Sequence, residues 1–413
     1  MKRLFAGVVA IAAVLVLAGC GGAGSPASAP ADVTVVPGDG YATASWTMSP
    51  GVDYWIFYAP TSGNLTPETC SSAIVCVTKV NAISPQVLPG LVNGAIVPPL
   101  VNGATYSFTV NGRTNGGPGG PGSASVSAVP RLAGAQWTVG TSAGSNDLRG
   151  VTYGTVFVAV GAGGAMFSST DGAAWTAVTN PLASTNPNLN AAVYSGNYVA
   201  AGAGGVILFS ADAITWTQQA SGTTRDLNAL ASNGAGGYVA VGANGTIISS
   251  NGGAIWTAAS TIPSSNALYG VTFGNGIFVA VGAGGTLLTS SDGNTWQAAA
   301  SNTSLDLKGV AFGAGTFVAL GSAGTLVTST DGVTWNLQTP ISTNRALNTL
   351  TFGRQFVAVG NGGVIFTSAD GLAWQLQSSG VSDNLYAVTS YTNSFSGVGY
   401  SAVGATGRNV SSI

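Results

Sequence analysis

The last two thirds of the chain repeat a pattern of short apolar runs separated by glycines and polar turns. One unit, Leu268 to Trp296, contains the alternating run Val271-Thr-Phe273, the run Phe278-Val-Ala-Val-Gly282 and a third run that ends at Ser290. Runs this short, rich in valine and aromatic residues and bounded by glycine, predict four short β-strands in each unit.

The unit repeats with a nearly constant length. Its closing tryptophan recurs at Trp137, Trp175, Trp216, Trp256, Trp296, Trp335 and Trp374. Its opening leucine recurs at Leu148, Leu189, Leu227, Leu268, Leu307, Leu347 and Leu385, and these seven residues are called the opening leucines below. A period of about forty residues with four strands in each unit predicts a seven-bladed β-propeller over residues 131–413.

The two ends of the repeat array complement each other. The last unit stops at Ile413 after three strands, whereas Gln136-Trp137-Thr138-Val139 reads as a fourth strand with no unit before it. Pairing these fragments would complete one blade, close the propeller and cover two open strand edges. We therefore expect an N-terminal strand to close the propeller, and we expect a monomer.

Residues 32–130 have a different strand pattern. Runs at Tyr41–Trp46 and Tyr54–Tyr58 read as strands, and Tyr106 heads an alternating run to Val110 in the position of a tyrosine corner. This region resembles a fibronectin type III domain, a β-sandwich that mostly serves as a spacer or adhesion module. The complete chain is therefore expected to be all-β, and residues 20–31, rich in Gly, Ala, Ser and Pro, are expected to form a flexible tether.

The N-terminus resembles a bacterial lipoprotein signal. Lys2 and Arg3 precede an apolar run that ends in Leu17-Ala-Gly-Cys20. The resemblance implies cleavage after residue 19 and lipidation of Cys20, with the protein anchored in the cell envelope, on the outer membrane of a Gram-negative cell. An ordinary secretory signal with an incidental cysteine is the alternative.

The two remaining cysteines agree with export. Cys70 and Cys76 are close in sequence, so a local disulfide is expected in an oxidising compartment, with two free thiols as the alternative. Charged residues make up 6% of the chain and the formal net charge is -2. Eleven basic residues in 413 do not supply the field that binds phosphate backbones, so nucleic acid is not an expected partner. No cofactor is indicated.

The turn before the closing tryptophan carries a second resemblance. Five of these turns contain Ser-x-Asp with a tryptophan four residues after the aspartate, as in Ser290-Ser-Asp292-Gly-Asn-Thr-Trp296. They look like the Asp-box (BNR) repeats of sialidases and non-enzymatic propellers. Their aspartates are Asp171, Asp212, Asp292, Asp331 and Asp370. We expect these carboxylates to be structural acceptors of backbone N–H bonds, with calcium binding as the alternative.

Charge in the propeller concentrates around the opening leucines. The predicted ligand-binding rim comprises Asp147, Arg149, Arg225, Asp226, Asn228, Tyr269, Asp306, Lys308, Arg345, Asn348, Asp383 and Tyr386. If the first strand of each blade lines the channel, these residues encircle one channel mouth and offer a binding site for a protein, peptide or glycan. Alternatively, they are a solvated surface in which Asp147/Arg149, Arg225/Asp226 and Asp306/Lys308 neutralise each other.

Catalysis finds little support in the residue types. The chain has no histidine, which excludes a Ser-His-Asp triad and histidine-ligated metals, and its only glutamate is Glu68. The blade sequence also resembles photosystem II assembly factors. We therefore predict a non-enzymatic, lipid-anchored binding or scaffold protein; the alternatives are an assembly factor for a membrane complex and a divergent sialidase-like glycoside hydrolase.

Overall fold

The computed structural model describes residues 25–61, 63–72, 76–89, 91–92, 95–96, 99–392 and 398–412. The predicted signal peptide and Cys20 lie outside these residues. The chain divides into two compact units, Met1–Arg131 and Leu132–Ile413. Within the described ranges, no helix combines the length and apolar character that crossing a bilayer requires.

Among its described residues, the first unit contains two larger antiparallel sheets, a two-stranded ladder and one helix, Pro67–Ser72. One sheet has the order Pro26–Ala27, Tyr106–Arg113, Asp53–Ala59 and Val77–Ala82, with Val126–Ala128 also paired to Tyr106–Arg113. The other sheet has the order Thr34–Pro37, Ala42–Ser45 and Gln86–Leu88, and a separate ladder joins Leu91–Val92 to Ala95–Ile96. Trp46, Ile56, Leu88 and Phe108, which come from both larger sheets, are buried in one core.

A tyrosine fixes the connection into the central strand of this unit. The hydroxyl of Tyr106 accepts a hydrogen bond from the backbone N–H of Val101 at 3.1 Å, which is the contact expected of a tyrosine corner. Cys70 and Cys76 are joined by a disulfide with a Cα–Cα distance of 5.2 Å.

Residues 20–31 are predicted to form a flexible tether, but part of the described segment forms a β-strand. Pro26 and Ala27 pair with Arg113 and Gly112 as an additional strand. The composition was misleading because proline, which lacks an N–H donor, is tolerated in an edge strand.

The second unit contains seven four-stranded antiparallel sheets among its described residues. The first three consist of Leu148–Tyr153, Phe157–Gly161, Met166–Ser169 and Thr176–Ala177; of Leu189–Tyr194, Tyr198–Gly202, Ile207–Ser210 and Thr217–Gln219; and of Leu227–Ser232, Gly237–Gly242, Ile247–Asn251 and Trp256–Ala258. The next three consist of Leu268–Gly274, Ile277–Gly282, Leu287–Ser290 and Gln297–Ala298; of Leu307–Gly313, Thr316–Gly321, Leu326–Ser329 and Asn336–Leu337; and of Leu347–Phe352, Phe356–Gly360, Ile365–Ser368 and Gln375–Gln377. The seventh combines Thr138–Val139 with Leu385–Thr392, Val398–Gly404 and Asn409–Ser412. They are numbered sheets 1 to 7 in this order.

The sheets follow one another in a β-propeller-like arrangement. The first strand of each sheet packs beside the first strand of the next, and the first strand of sheet 7 packs beside that of sheet 1. Thr138 and Val139 pair with Ser411 and Val410, so the N-terminal strand lies where the sequence pattern places it.

A short 3-10 turn connects the second and third strands of every sheet. These seven inner turns are Ala162–Gly164, Ala203–Gly205, Ala243–Gly245, Ala283–Gly285, Ser322–Gly324, Asn361–Gly363 and Ala405–Gly407. The glycine before each turn passes against the carbonyl oxygen of the residue that precedes the opening leucine; at Gly242 a Cβ atom would collide with the carbonyl of Asp226. The repeated glycine therefore reflects a close backbone approach.

The aspartate turns are held together by local hydrogen bonds. In the turn after Ser329, Asp331 Oδ1 accepts hydrogen bonds from the Ser329 hydroxyl and from the N–H groups of Val333 and Thr334, at 2.8–2.9 Å. The bonds from Thr334 and Val333 lower the pKa of Asp331 to about 2, and the bonds from Thr215 and Ile214 do the same for Asp212. In sheet 3 the aspartate is replaced by Gly252, yet Ser250 still accepts a bond from Gly253, so the turn survives without the carboxylate.

The lowered pKa of Asp331 predicts a pH-dependent contribution to stability. Because the folded-state pKa lies below the unfolded one, the contribution is present above about pH 4 and is lost as the pH falls through about 2. We expect the free energy of unfolding in urea to be higher for wild type than for Asp331→Asn at pH 6, with the difference shrinking towards pH 2. A difference that is independent of pH would show that the Asp331 carboxylate does not contribute in this way.

The strand pairing in sheet 7 predicts a special sensitivity at its N-terminal strand. The double substitution Thr138→Pro, Val139→Pro removes backbone donors and breaks the pairing that joins the two ends of the unit. Thr176→Pro, Ala177→Pro makes the same change in the fourth strand of sheet 1, whose strands are continuous in sequence. We expect the first variant to unfold at a lower temperature than the second by circular dichroism; equal unfolding temperatures would contradict this.

Candidate ligand-binding site

Each first strand contains a β-bulge directly after its opening leucine. In sheet 1, Leu148 pairs with Gly161 and Gly150 with Val160, which leaves Arg149 without a pairing partner. The same shift occurs in the other six sheets. A bulge redirects the side chain of its extra residue, so seven side chains at one position of the repeat are redirected together.

The seven bulged residues line one cavity of about 370 Å³. We call them the bulge ring; in order they are Arg149, Asn190, Asn228, Tyr269, Lys308, Asn348 and Tyr386. The wall below them is formed by small and apolar residues of the first strands, including Gly150, Gly309 and Val271. The small residues are required because neighbouring first strands approach closely: a Cβ on Gly309 would lie 2.8 Å from the Cα of Thr349.

Three asparagines of the bulge ring connect neighbouring sheets. The side-chain amides of Asn190, Asn228 and Asn348 donate to the carbonyl oxygens of Leu227, Leu268 and Leu385, at 3.0, 2.9 and 2.8 Å. Each acceptor is the opening leucine of the next sheet. These asparagines therefore act as clamps between sheets.

The other four members of the bulge ring carry cationic or phenolic groups. Lys308 Nζ lies 3.8 Å from the centre of the Tyr269 ring and 3.3 Å from Asp306 Oδ2. Arg149 donates to the amide oxygen of Asn190 at 3.2 Å. Among the described residues that line the cavity, the charged side chains are these two cations, and none is acidic.

The residue before the opening leucine takes a different direction. Asp147, Asp226 and Asp306 accept hydrogen bonds from the backbone N–H groups of Thr406, Gly204 and Gly284, each in the inner turn of the preceding sheet. Asn188 and Asn384 make the equivalent bonds to Gly163 and Gly362. The bond from Gly284, and then Lys308, lowers the pKa of Asp306, so this carboxylate remains ionised at neutral pH.

Where the residue two places before the leucine is charged, it contacts its own sheet at the inner turn or at the residue directly after that turn. Arg225 donates to the carbonyl of Asn244 at 3.2 Å, and the Arg345 guanidinium lies against Gly362. Asp383 forms a 2.9 Å ion pair with Arg408, a residue that the sequence-based rim did not include.

The predicted rim of twelve residues therefore divides into two groups. Arg149, Asn228, Tyr269, Lys308, Asn348 and Tyr386 line the cavity, whereas Asp147, Arg225, Asp226, Asp306, Arg345 and Asp383 do not. Of the three charge pairs expected within loops, Asp306–Lys308 forms; Asp147 and Asp226 bind turn amides instead. Asn190 also lines the cavity, and it directly follows Leu189 as the other members of the bulge ring follow their opening leucines.

The clamps predict a stability effect that is specific to asparagine. Asn228→Ala leaves the partly buried carbonyl of Leu268 without this donor, and we expect a loss of about 1 kcal/mol in the free energy of unfolding. Asn228→Asp, which keeps the size but presents two acceptors to the carbonyl, should be at least as destabilising. Tyr386→Ala is the comparison, because Tyr386 occupies the equivalent position without a clamp, and it should lower the free energy of unfolding less. An equal loss of free energy of unfolding in all three variants would contradict the clamp.

Comparisons with known proteins agree on the fold of the second unit. A family model described as the DUF6242 beta propeller domain matches residues 141–272. No curated protein sequence matches the chain.

Several solved structures share the fold at low identity. YCF48 bound to D1 peptide is 18% identical, with a TM-score of 0.55, over 67% of this chain and 94% of that chain. YCF48 from Cyanidioschyzon merolae is also 18% identical, with a TM-score of 0.54, over 67% and 98%. A streptogramin B lyase is 9% identical, with a TM-score of 0.57, over 67% and 97%. At these identities the likeness establishes a β-propeller fold for the second unit.

Proposed function

We propose that this chain is a non-enzymatic binding or scaffold protein of the cell envelope, which presents the bulge ring of its propeller to a protein or peptide ligand. The observation that carries the proposal is the convergence of seven redirected side chains on one cavity. Its volume of about 370 Å³ falls within the range of roughly 300–1,000 Å³ typical of ligand pockets. A cavity of this size accommodates part of an extended chain segment.

The proposal includes the finer architecture. The seven sheets are seven blades closed by Thr138–Val139, and the aspartate turns belong to the Asp-box type. The first unit is a fibronectin type III-like domain; its two-sheet order and the Tyr106–Val101 contact support this assignment. Lipidation at Cys20, with attachment to the outer membrane in a Gram-negative cell, remains a proposal that rests on the N-terminal sequence.

A second candidate is an assembly factor for a membrane complex. It is favoured by the structural likeness to YCF48, one of whose structures contains a bound D1 peptide. Both candidates require a protein ligand at the propeller, and they differ in whether the partner is a subunit of a membrane complex.

A glycoside hydrolase is the less favoured reading. The paired carboxylates that most glycosidases use have no counterpart on the cavity wall, where the described lining residues include no Asp or Glu. The streptogramin B lyase similarity does not alter this, because one fold supports many functions.

Affinity capture tests the proposed function. The full chain, purified in detergent, would be used as bait in envelope extract beside the variant Arg149→Ala, Tyr269→Ala, Lys308→Ala, Tyr386→Ala. We expect a partner that the wild type retains and the variant loses, because the variant removes the four bulge-ring side chains that are not clamps.

A matched control separates the site from general surface charge. Arg225→Ala, Arg345→Ala removes two cations that lie over inner turns and do not line the cavity. This control should retain the partner. Equal capture by all three proteins would remove the bulge ring as the site, and a partner from a membrane complex would favour the assembly-factor reading.

A further inference from the structure

We infer that the ligand of the bulge ring is an acidic peptide segment, whose carboxylates are bound by Arg149 and Lys308. This inference rests on the proposed function and specifies the chemistry of the same site. The asparagines Asn190, Asn228 and Asn348 hold the sheets together, and Asn190 also orients Arg149.

Charge segregation is the first argument. The chain is acidic overall, with a net charge of -2 and a sequence pI of about 4.8. Around the opening leucines, however, Asp147 and Asp226 are directed to turn amides, while Arg149 and Lys308 line the cavity. A cavity whose charged lining residues are both cationic, in an acidic protein, attracts anions locally.

The state of Arg149 is the second argument. Its Nη1 donates to Asn190 Oδ1, and the Asn190 amide nitrogen donates in turn to the Leu227 carbonyl. The partner of the guanidinium is therefore a neutral oxygen, which orients the group without cancelling its charge. A planar guanidinium oriented by one hydrogen bond to a neutral oxygen is suited to bidentate binding of a carboxylate.

The order of the bulge ring gives the third argument. Tyr386 and Arg149 are neighbours in the ring order, as are Tyr269 and Lys308, and asparagines separate the two pairs on both sides. The site therefore offers two cationic positions, each beside a phenol, on different sides of one cavity. An extended segment with more than one carboxylate engages both positions, and the phenols add hydrogen-bond donors and aromatic surface.

Lys308 should bind a ligand carboxylate less tightly than Arg149 does. Asp306 lies 3.3 Å from its ammonium, and the side chains are 31% and 37% exposed, so water screens this ion pair. A ligand carboxylate competes for the ammonium while Asp306 keeps its bond from Gly284. Substitution of Arg149 should therefore reduce affinity more than substitution of Lys308.

Short fluorescein-labelled peptides test the inference by fluorescence anisotropy with the full-length protein in detergent. One peptide contains glycine, serine and glutamate; a second replaces every glutamate by glutamine; a third replaces it by lysine. We expect the glutamate peptide to bind about tenfold more tightly than the glutamine peptide at low salt, and not the lysine peptide. Raising the salt from about 0.05 to 0.5 M should weaken the glutamate peptide selectively.

Two variants with the same change in net charge provide the decisive comparison. Arg149→Gln, Lys308→Gln should bring the glutamate-to-glutamine preference close to one, whereas Arg225→Gln, Arg345→Gln should keep it. Arg149→Lys, which retains the charge without the planar fork, should retain part of the preference. Circular dichroism establishes that every variant is folded.

Several outcomes overturn the inference. Equal affinity for the glutamate and glutamine peptides removes the carboxylate from recognition, and equal loss in both double variants removes the cavity. Absence of binding to the glutamate peptide, or binding of an acidic oligosaccharide such as a polygalacturonate fragment in its place, excludes an acidic peptide. If affinity capture still depends on the bulge ring in any of these cases, the proposed function stands and the acidic ligand alone is wrong.

Discussion

In every sheet of the second unit, the backbone at the inner turn approaches the backbone before the opening leucine closely. The rest of the unit depends on this constraint. The glycine that ends each second strand lies against the carbonyl before the opening leucine, and the next residue donates a hydrogen bond to that carbonyl, as Ala243 does to Asp226 at 2.9 Å. Pairing then resumes two residues beyond the leucine, which produces the bulge. A side chain in place of this glycine would prevent the approach, and the bulge ring would lose its geometry.

The bulge gives three neighbouring positions three different destinations. In sheet 3, the residue two places before the leucine donates to the inner turn of its own sheet, the residue one place before it accepts a bond from the turn of the preceding sheet, and the residue after it lines the cavity. Arg225, Asp226 and Asn228 illustrate the three cases within one loop. Asp147 and Arg149 have separate partners in this way although they are close in sequence, whereas Asp306 and Lys308 remain paired.

The sequence was sufficient to predict strands, repeats and the position of the N-terminal strand, because tryptophan and leucine recur at a fixed spacing and strand periodicity is local. It was not sufficient to predict the side-chain directions at the rim. In a regular strand, residues two apart face the same side. The bulge at each opening leucine interrupts that alternation, and the contacts then depend on the individual side chains. Asp147 accepts a bond from a turn amide and Arg149 donates to Asn190, whereas Asp306 and Lys308 at the same positions of sheet 5 form an ion pair. Pro26–Ala27 was missed for another reason: its pairing partner, Gly112–Arg113, is distant in sequence, and local composition carries no information about it.

Comparison of the seven sheets with one another shows one common stabilising residue at the bulge position and four departures from it. At three junctions the bulge position carries an asparagine that bonds to the next sheet, which is the better choice for holding the propeller together. At the other four it carries Arg149, Tyr269, Lys308 or Tyr386, longer side chains with no carboxamide to make that clamp. The asparagine that clamps neighbouring sheets is thus absent at four of the seven equivalent positions. The residues that replace it line the same cavity as the asparagines. Departures from a locally consistent pattern that converge in space are typical of functional sites, and this convergence, rather than the fold, is why we propose binding at the bulge ring.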